Sequence, residues 1–220
     1  MADVYAYRRG AGEFNIFYYS EVMSGFEYAA AGTMLQNGML EEGLGMVKAI
    51  SERYDGRFRS EGEVHMHNNS CVFGTGSPFG EDECGDFYVR PLSSWSVLLA
   101  LQGFIYDGPK QTIGFKPVWQ PEDHASFFSA SEGWGLFTQN RDNSAQTSAI
   151  EMKYGRLNLK QMILSVEEGF IAGGISVELD GVNLAIDSSK QDGNSLGIQL
   201  KSACTLTDGS TLRISVAMDR

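Results

Sequence analysis

The stretch "GEDECGDFYVR", Gly80 to Arg90, gathers Glu81, Asp82, Glu83 and Asp86 with Cys84, two aromatic residues and Arg90. Acids and a guanidinium at this density suit recognition of adjacent sugar hydroxyls. The carboxylate accepts two hydrogen bonds and the guanidinium donates in a fixed fork. Two local conformations lead to different chemistry. On one continuous helix, Glu81 and Arg90 fall about 180° apart at ~100° per residue and cannot share a pocket. Glu83 then shares a face with Arg90, and Asp86 with Arg90 makes an i,i+4 ion pair in the favoured order. Ser77-Pro78 and Gly80 favour instead an extended or turning entry before Cys84. On such a loop Glu81 is free to fold back towards Arg90, while Phe87, Tyr88 and Trp95 offer apolar faces to a pyranose ring. A third arrangement, with Glu81, Glu83 and Asp86 as a self-sufficient acid/base set, is the least supported.

A second constellation is "HMHNNSC". In an extended segment His65 and His67 point the same way, and Cys71 could complete three zinc ligands. No fourth ligand stands at a familiar spacing, so the segment reads as a polar loop and no metal is expected. Asn68-Asn69-Ser70 is a glycosylation acceptor only in a secreted protein. His124 follows Pro121-Glu122-Asp123 in a loop, where a surface position is expected. No nucleophile elbow, P-loop or dinucleotide fingerprint is present, and no cofactor is expected.

The totals narrow the partners. The formal net charge is −11 over 220 residues, with a pI of about 4.7. Nucleic acid and anionic membrane surfaces need clustered Lys and Arg, and are disfavoured. A neutral ligand such as a sugar remains compatible. Cys71, Cys84 and Cys204 are widely spaced, which suggests reduced thiols or one disulfide with a leftover. The opening "MADVYAYRRG" lacks an apolar signal-peptide core, and "SVLLALQGFIY" is too short to span a bilayer. The default location is therefore the cytoplasm, although a piece of a longer chain would carry no address of its own.

The elements that must position these residues change period part-way along the chain. "EVMSGFEYAAAGTMLQNG" puts Val22, Phe26, Ala29, Ala30, Thr33 and Met34 on one helical stripe, stopped by Gly38. "MLEEGLGMVKAISERYDG" repeats the rhythm up to Gly56, so the pair predicts a helical hairpin with a very short connection. "RPLSSWSVLLALQG" is apolar around most of its circumference and is expected to be buried on more than one side. After Gly103 the period is two. "GFIYDGPKQTIGFKPV" predicts two strands about an Asp-Gly-Pro turn, and Asp180-Gly181 and Asp208-Gly209 are turn signals. "SAIEMKYGRLNLKQMILSV" alternates through Ile150, Met152 and Tyr154, then through Leu157 and Leu159. The prolines of "WQPEDHAS" place a boundary that gives a helical portion over 1–125 and a β-rich, sandwich-like unit over 126–220.

Several motifs in order resemble one family. "SPFGEDECGDFYVRPLSSWSVLLALQGFIYDGP" resembles the signature region of glycoside hydrolase family 116, the β-glucosidase and non-lysosomal glucosylceramidase group. "GFEYAAAGTML", "EEGLGMVKAISERYDGR", "IGFKPV" and "FFSASEGWGLFTQ" are similar to its flanking segments, so that the likeness runs over roughly residues 20–140. Ser77, Phe87 and Val89 depart from the usual residues, and 58–76 looks like an insertion. The resemblance implies that Glu81 and Arg90 bind the glucose of the −1 subsite, with Glu83, Asp86, Tyr88 and Trp95 in support. It implies an α+β chain: the C-terminal portion of an (α/α)6-toroid-like helical domain, followed by the β-rich unit. It also implies retaining hydrolysis by a glutamate nucleophile and an aspartate acid/base, which need a separation of about 5–5.5 Å. The family's positions for both precede the matched region, and no residue here corresponds to them. The expectation is therefore the C-terminal part of a β-glucosidase, inactive alone. Its ligand would be a β-glucoside, and its partner the rest of the enzyme or a second copy. The alternative is a non-catalytic carbohydrate-binding or interaction module.

Overall fold

The chain breaks into helix and then strand at Gly103, and the computed structural model follows that break. It describes residues 24–53, 66–67, 71–72, 90–142 and 144–219. Packing divides the chain into two compact units, Met1–Leu98 and Leu99–Arg220.

In the first unit, α1 (Ser24–Gln36) and α2 (Leu40–Arg53) form the expected hairpin. Its three-residue connection is closed by the capping bonds of a left-handed glycine. Gly38 has φ 79°, its N–H donates to the Leu35 carbonyl at 3.1 Å, and the Met39 N–H reaches the Met34 carbonyl at 3.0 Å. That satisfies carbonyls the end of α1 would otherwise leave open. The buried face of α1 is not the expected stripe. Ser24, Gly25, Ala31, Gly32 and Leu35 are buried, whereas Phe26 is 57% exposed. Small residues win this face because the neighbouring chain comes close: Gly43 of α2 packs on Leu35, and the Ser93 hydroxyl donates to the Gly25 carbonyl at 2.6 Å. A 3-10 turn, Arg90–Ser94, leads into α3 (Trp95–Gln102). Only part of α3 is covered: Val97 and Ala100 are buried, but Trp95 and Leu99 are exposed. The expectation of burial on more than one side is not met.

The second unit begins with the last turn of α3 and is otherwise β. β3 (Ile105–Asp107) and β4 (Thr112–Phe115) form the hairpin expected around Asp-Gly-Pro. β5 (Asp123–Ala130) and β6 (Gly133–Arg141) follow, joined by the two-residue turn Ser131-Glu132. The 21-residue β7 (Ala145–Ser165) then serves two layers. Its first half pairs with β6 and with β12 (Thr211–Asp219), and its second half pairs with β11 (Ser195–Thr207) and, in parallel, with β4. β8 (Ile171–Leu179) and β9 (Val182–Asn183) extend the first layer, and β10 (Ile186–Asp192) extends the second.

The switch is written in the burial of β7. Ile150 and Met152 are buried, then Leu157 and Leu159, so the inward parity changes between 152 and 157. Gly155 lies between them with φ 80°, a conformation that L side chains rarely adopt. Parity changes again before Met162, where the N–H groups of Lys160 and Gln161 both donate to the Gln111 carbonyl, at 2.8 and 3.1 Å. Residues of both layers then fill one core, in which Phe115 of β4 stacks on Phe137 of β6 with ring centres 3.9 Å apart.

The (α/α)6-toroid-like fold expected from the family resemblance is overturned. The described residues are mostly strand in a mixed sheet, with three α-helices, the last ending at Gln102. Period-two alternation of aromatic and branched residues after Gly103 buries one face of each strand, and it cannot supply the continuous stripe that a helix needs. No described helix is long and apolar enough to cross a membrane.

Gly155→Ala is expected to destabilise the protein by about 1–3 kcal/mol through strain at positive φ. It should cost more than Gly169→Ala. Both positions have φ above 80° or close to it, but a Cβ at 155 would collide with the Glu132 carbonyl, whereas space is open at 169. Urea denaturation of the two variants checks the order.

Candidate functional site

Of the residues singled out in the sequence, Glu81, Glu83, Asp86 and Tyr88 lie outside the described residues, as does His65. Arg90 enters as the first residue of the 3-10 turn, and Trp95 opens α3 with 57% of its surface exposed. His67 and Cys71 are register partners across the short ladder of β1 (Met66–His67) and β2 (Cys71–Val72).

Polar side chains converge in the β unit at a place the sequence did not single out. The β3–β4 turn, the β5–β6 turn and the middle of β7 border a cleft of about 230 Å³, lined by Tyr106, Ser131, Glu132, Arg156, Leu157 and Asn158 among others. The chain brings them together through the main chain, since the Arg156 N–H donates to the Glu132 carbonyl at 3.0 Å. Above that bond the side chains close a two-point pair, Arg156 Nε to Glu132 Oε2 at 3.0 Å and Nη2 to Oε1 at 2.8 Å. Each partner shifts the other in the expected direction: the guanidinium holds the Glu132 carboxyl below its ordinary range, and the carboxylate raises Arg156 further. The Tyr106 and Ser131 hydroxyls bond each other at 2.8 Å, and the Asn158 Oδ1 accepts from Thr205 at 2.7 Å. One signal existed in the sequence: Glu132 sits in a two-residue turn before Gly133. Its partner is 24 residues away, and only the fold joins them.

His124 is not the surface residue expected after Pro121-Glu122-Asp123. It lies on β5 and is 7% exposed. Both ring nitrogens are engaged, Nδ1 with the Trp119 carbonyl at 2.9 Å and Nε2 with the Ser126 hydroxyl at 3.0 Å. The carbonyl can only accept, so Nδ1 carries a proton. Ser126 is 2.8 Å from the Gln102 amide oxygen, while the amide nitrogen of Gln102 is buried without a partner. Turning that amide over gives one continuous donor order, Gln102 to Ser126 to His124 to Trp119. The alternation of β5 points His124 inward, and the polar chain makes that burial tolerable.

A second buried polar chain crosses the start of β7. Gln139 donates to the Pro121 carbonyl at 2.8 Å and accepts from Gln146 at 3.1 Å. Arg141 donates from Nε to Gln146 at 2.9 Å and from Nη2 to the Ser165 carbonyl at 3.1 Å. Burial lowers the Arg141 pKa, while the charges of Glu122 and Glu167 act the other way. This arrangement ties Gln146, near the start of β7, to Ser165, its last residue. The half-buried Cys204 thiol is pushed up by burial, which makes it a poor nucleophile.

No family model matches the chain. Among solved structures it is similar to a GH127 β-L-arabinofuranosidase from Geobacillus stearothermophilus T6, with 8% identity and a TM-score of 0.36, covering 68% of this chain and 21% of that one. It is also similar to an α-L-rhamnosidase from Dictyoglumus thermophilum, with 8% identity and a TM-score of 0.37, covering 78% and 17%. A third is described as a glycoside hydrolase, with 12% identity, a TM-score of 0.32 and coverage of 59% and 19%. All three neighbours are glycoside hydrolases, and this chain spans about a fifth of the length of each. No residue of the cleft is carried over from them.

The two charged clusters should respond differently to mutation. Arg141→Met strips a charged donor from two buried acceptors and is expected to lower stability by about 2–3 kcal/mol. Arg156→Met opens a solvent-exposed pair and should leave the denaturation midpoint unchanged. Parallel thermal melts decide whether the first cluster is structural and the second is not.

Proposed function

We propose that this chain is part of a glycoside hydrolase acting on β-glucosides, and that Glu81 and Arg90 hold the glucose at its −1 subsite. The observation that carries the reading is the run "GEDECGDFYVR" in order with its flanking motifs. That solved glycoside hydrolases are among its structural neighbours is compatible with it. The chemistry is one of positioning. A carboxylate accepts from two neighbouring hydroxyls and the guanidinium donates to a third oxygen, which fixes the ring and its anomeric carbon. Glu83, Asp86 and Tyr88 support that clasp, and Trp95 offers an exposed ring face. Retaining hydrolysis needs a nucleophile and an acid/base about 5–5.5 Å apart. In this reading both belong to another part of the enzyme, and that part is the partner that completes the site; a second copy could associate with the chain but would lack the same two groups.

Isothermal titration with methyl β-glucopyranoside tests the clasp. Saturable binding is expected, weakened at least about tenfold, or ~1.4 kcal/mol, by Arg90→Ala and by Glu81→Gln. The chain alone should not turn over an aryl β-glucoside. Sustained hydrolysis by the isolated chain would overturn the division of labour, and binding indifferent to both substitutions would overturn the clasp.

A further inference from the structure

The cleft of the β unit has hydrogen-bonding capacity that its own contacts leave unused. A carboxylate offers about four acceptor sites and a guanidinium five donors. In Glu132 and Arg156 two of each are spent on one another. What remains is fixed in direction, because the two-point pair holds both groups in one plane. Tyr106 and Ser131 share one hydrogen between their hydroxyls, which leaves one donor and open acceptor sites. Asn158 uses its oxygen on Thr205, so that its amide hydrogens stay available. Leu157 supplies an apolar part of the wall.

The charge is balanced within the lining. One acid and one base cancel, so neither an anion nor a cation gains from entering, and the chain's net charge of −11 further disfavours polyanions. At about 230 Å³ the space falls below the roughly 300–1,000 Å³ of sites for drug-sized ligands. A small, uncharged molecule rich in hydroxyls, with one less polar face, matches donors, acceptors and wall together. One register step beyond the Gly133–Gly155 rung, Trp134 and Tyr154 pair across β6 and β7 and are 41% and 63% exposed. Neither ring belongs to the lining of the cleft, whose apolar wall is that of Leu157.

We infer that the cleft between the β3–β4 turn, the β5–β6 turn and β7 is a binding site for a single neutral sugar residue, with Glu132 and Arg156 as its hydroxyl-reading pair. The inference stands on different residues from Glu81 and Arg90 and does not need that clasp to exist. Because Arg156 keeps Glu132 ionised, the site is expected to hold its ligand equally from about pH 8 to about pH 5, and to weaken only as the carboxylate protonates below its ordinary range.

The test uses the full chain carrying Arg90→Ala, which removes the proposed clasp from the readout. Amide NMR spectra are followed while methyl glycosides of glucose, galactose, arabinose and rhamnose are added, each to about 50 mM, well beyond a millimolar dissociation constant. Saturable shifts confined to residues 106–108, 131–133 and 156–158 are expected from at least one glycoside. Arg156→Ala and Tyr106→Phe, added separately, should each weaken that binding about tenfold without loss of the folded spectrum. Tyr106→Phe removes only a hydroxyl, so it keeps the test valid if the arginine variant unfolds. No saturable shift from any of the four glycosides overturns the inference. Binding indifferent to both substitutions overturns it too, as does a response of the same amides to sulfate in place of sugar.

Discussion

The β unit depends on one strand belonging to two layers. β7 is 21 residues long, and a strand of that length cannot keep a single face inward while its neighbours change from β6 and β12 to β11 and β4. The extra residue Lys153, unpaired between the Gly135–Met152 and Trp134–Tyr154 rungs, takes up the first change of parity just before the left-handed Gly155, and the doubly donated Gln111 carbonyl marks the second. Without the first, either Met152 or Leu157 would face water, and one layer would lose its half of the core. The same kink also sets the Arg156 N–H against the Glu132 carbonyl. The cleft is therefore a by-product of the fold's main structural problem, and it sits on main-chain hydrogen bonds, not on a loop alone.

Two arginines, Arg141 at the end of β6 and Arg156 within β7, show how burial decides what a charge can do. Arg141 gives its hydrogen bonds to a glutamine and a carbonyl, and losing it would strand groups that water cannot reach. Arg156 pairs with a carboxylate in solvent, where such a pair adds little to stability because water and salt screen it. A charge that is unimportant for holding the fold and is held in a fixed geometry can serve recognition. The Arg141 chain, whose bonds go to the buried Gln146 and Ser165, has less of that freedom, and so has the buried His124 chain.

Much of the β unit was legible in the sequence because its signals are local. Asp107-Gly108-Pro109 marked the β3–β4 turn, and Asp180-Gly181 marked the turn from β8 to β9. The alternation was visible too, through Ile150 and Met152 and then Leu157 and Leu159, but Tyr154, read on the same run, is 63% exposed because the parity changes before it. Non-local facts were not legible. The Asp208-Gly209 turn joins β11 in one layer to β12 in the other, and the parallel pairing of β4 with β7 connects residues 49 apart, such as Thr112 with Gln161. In α1 the apolar periodicity misled, because a close helix approach favours small residues and leaves Phe26 outside. The toroid expectation failed for a related reason. Short motifs carry a family's local chemistry, whereas an architecture of many helices is a property of the whole chain.

The same contrast separates the two sugar-directed readings. Glu81 and Arg90 stand nine residues apart, so a sequence can suggest them as a pair, but whether they meet depends on whether the chain between them is helix or loop. Glu132 and Arg156 stand 24 residues apart with nothing in their local sequence to link them, yet a hairpin turn and a strand kink bring their side chains to 2.8 Å. A carboxylate and a guanidinium already bound to one another have lost most of the freedom that ligand binding would otherwise have to remove. Their remaining donors and acceptors point where the backbone puts them. For a neutral, weakly bound ligand such as one sugar residue, that prior ordering matters more than added charge, because there is no net electrostatic attraction to offset the entropy of assembling the site.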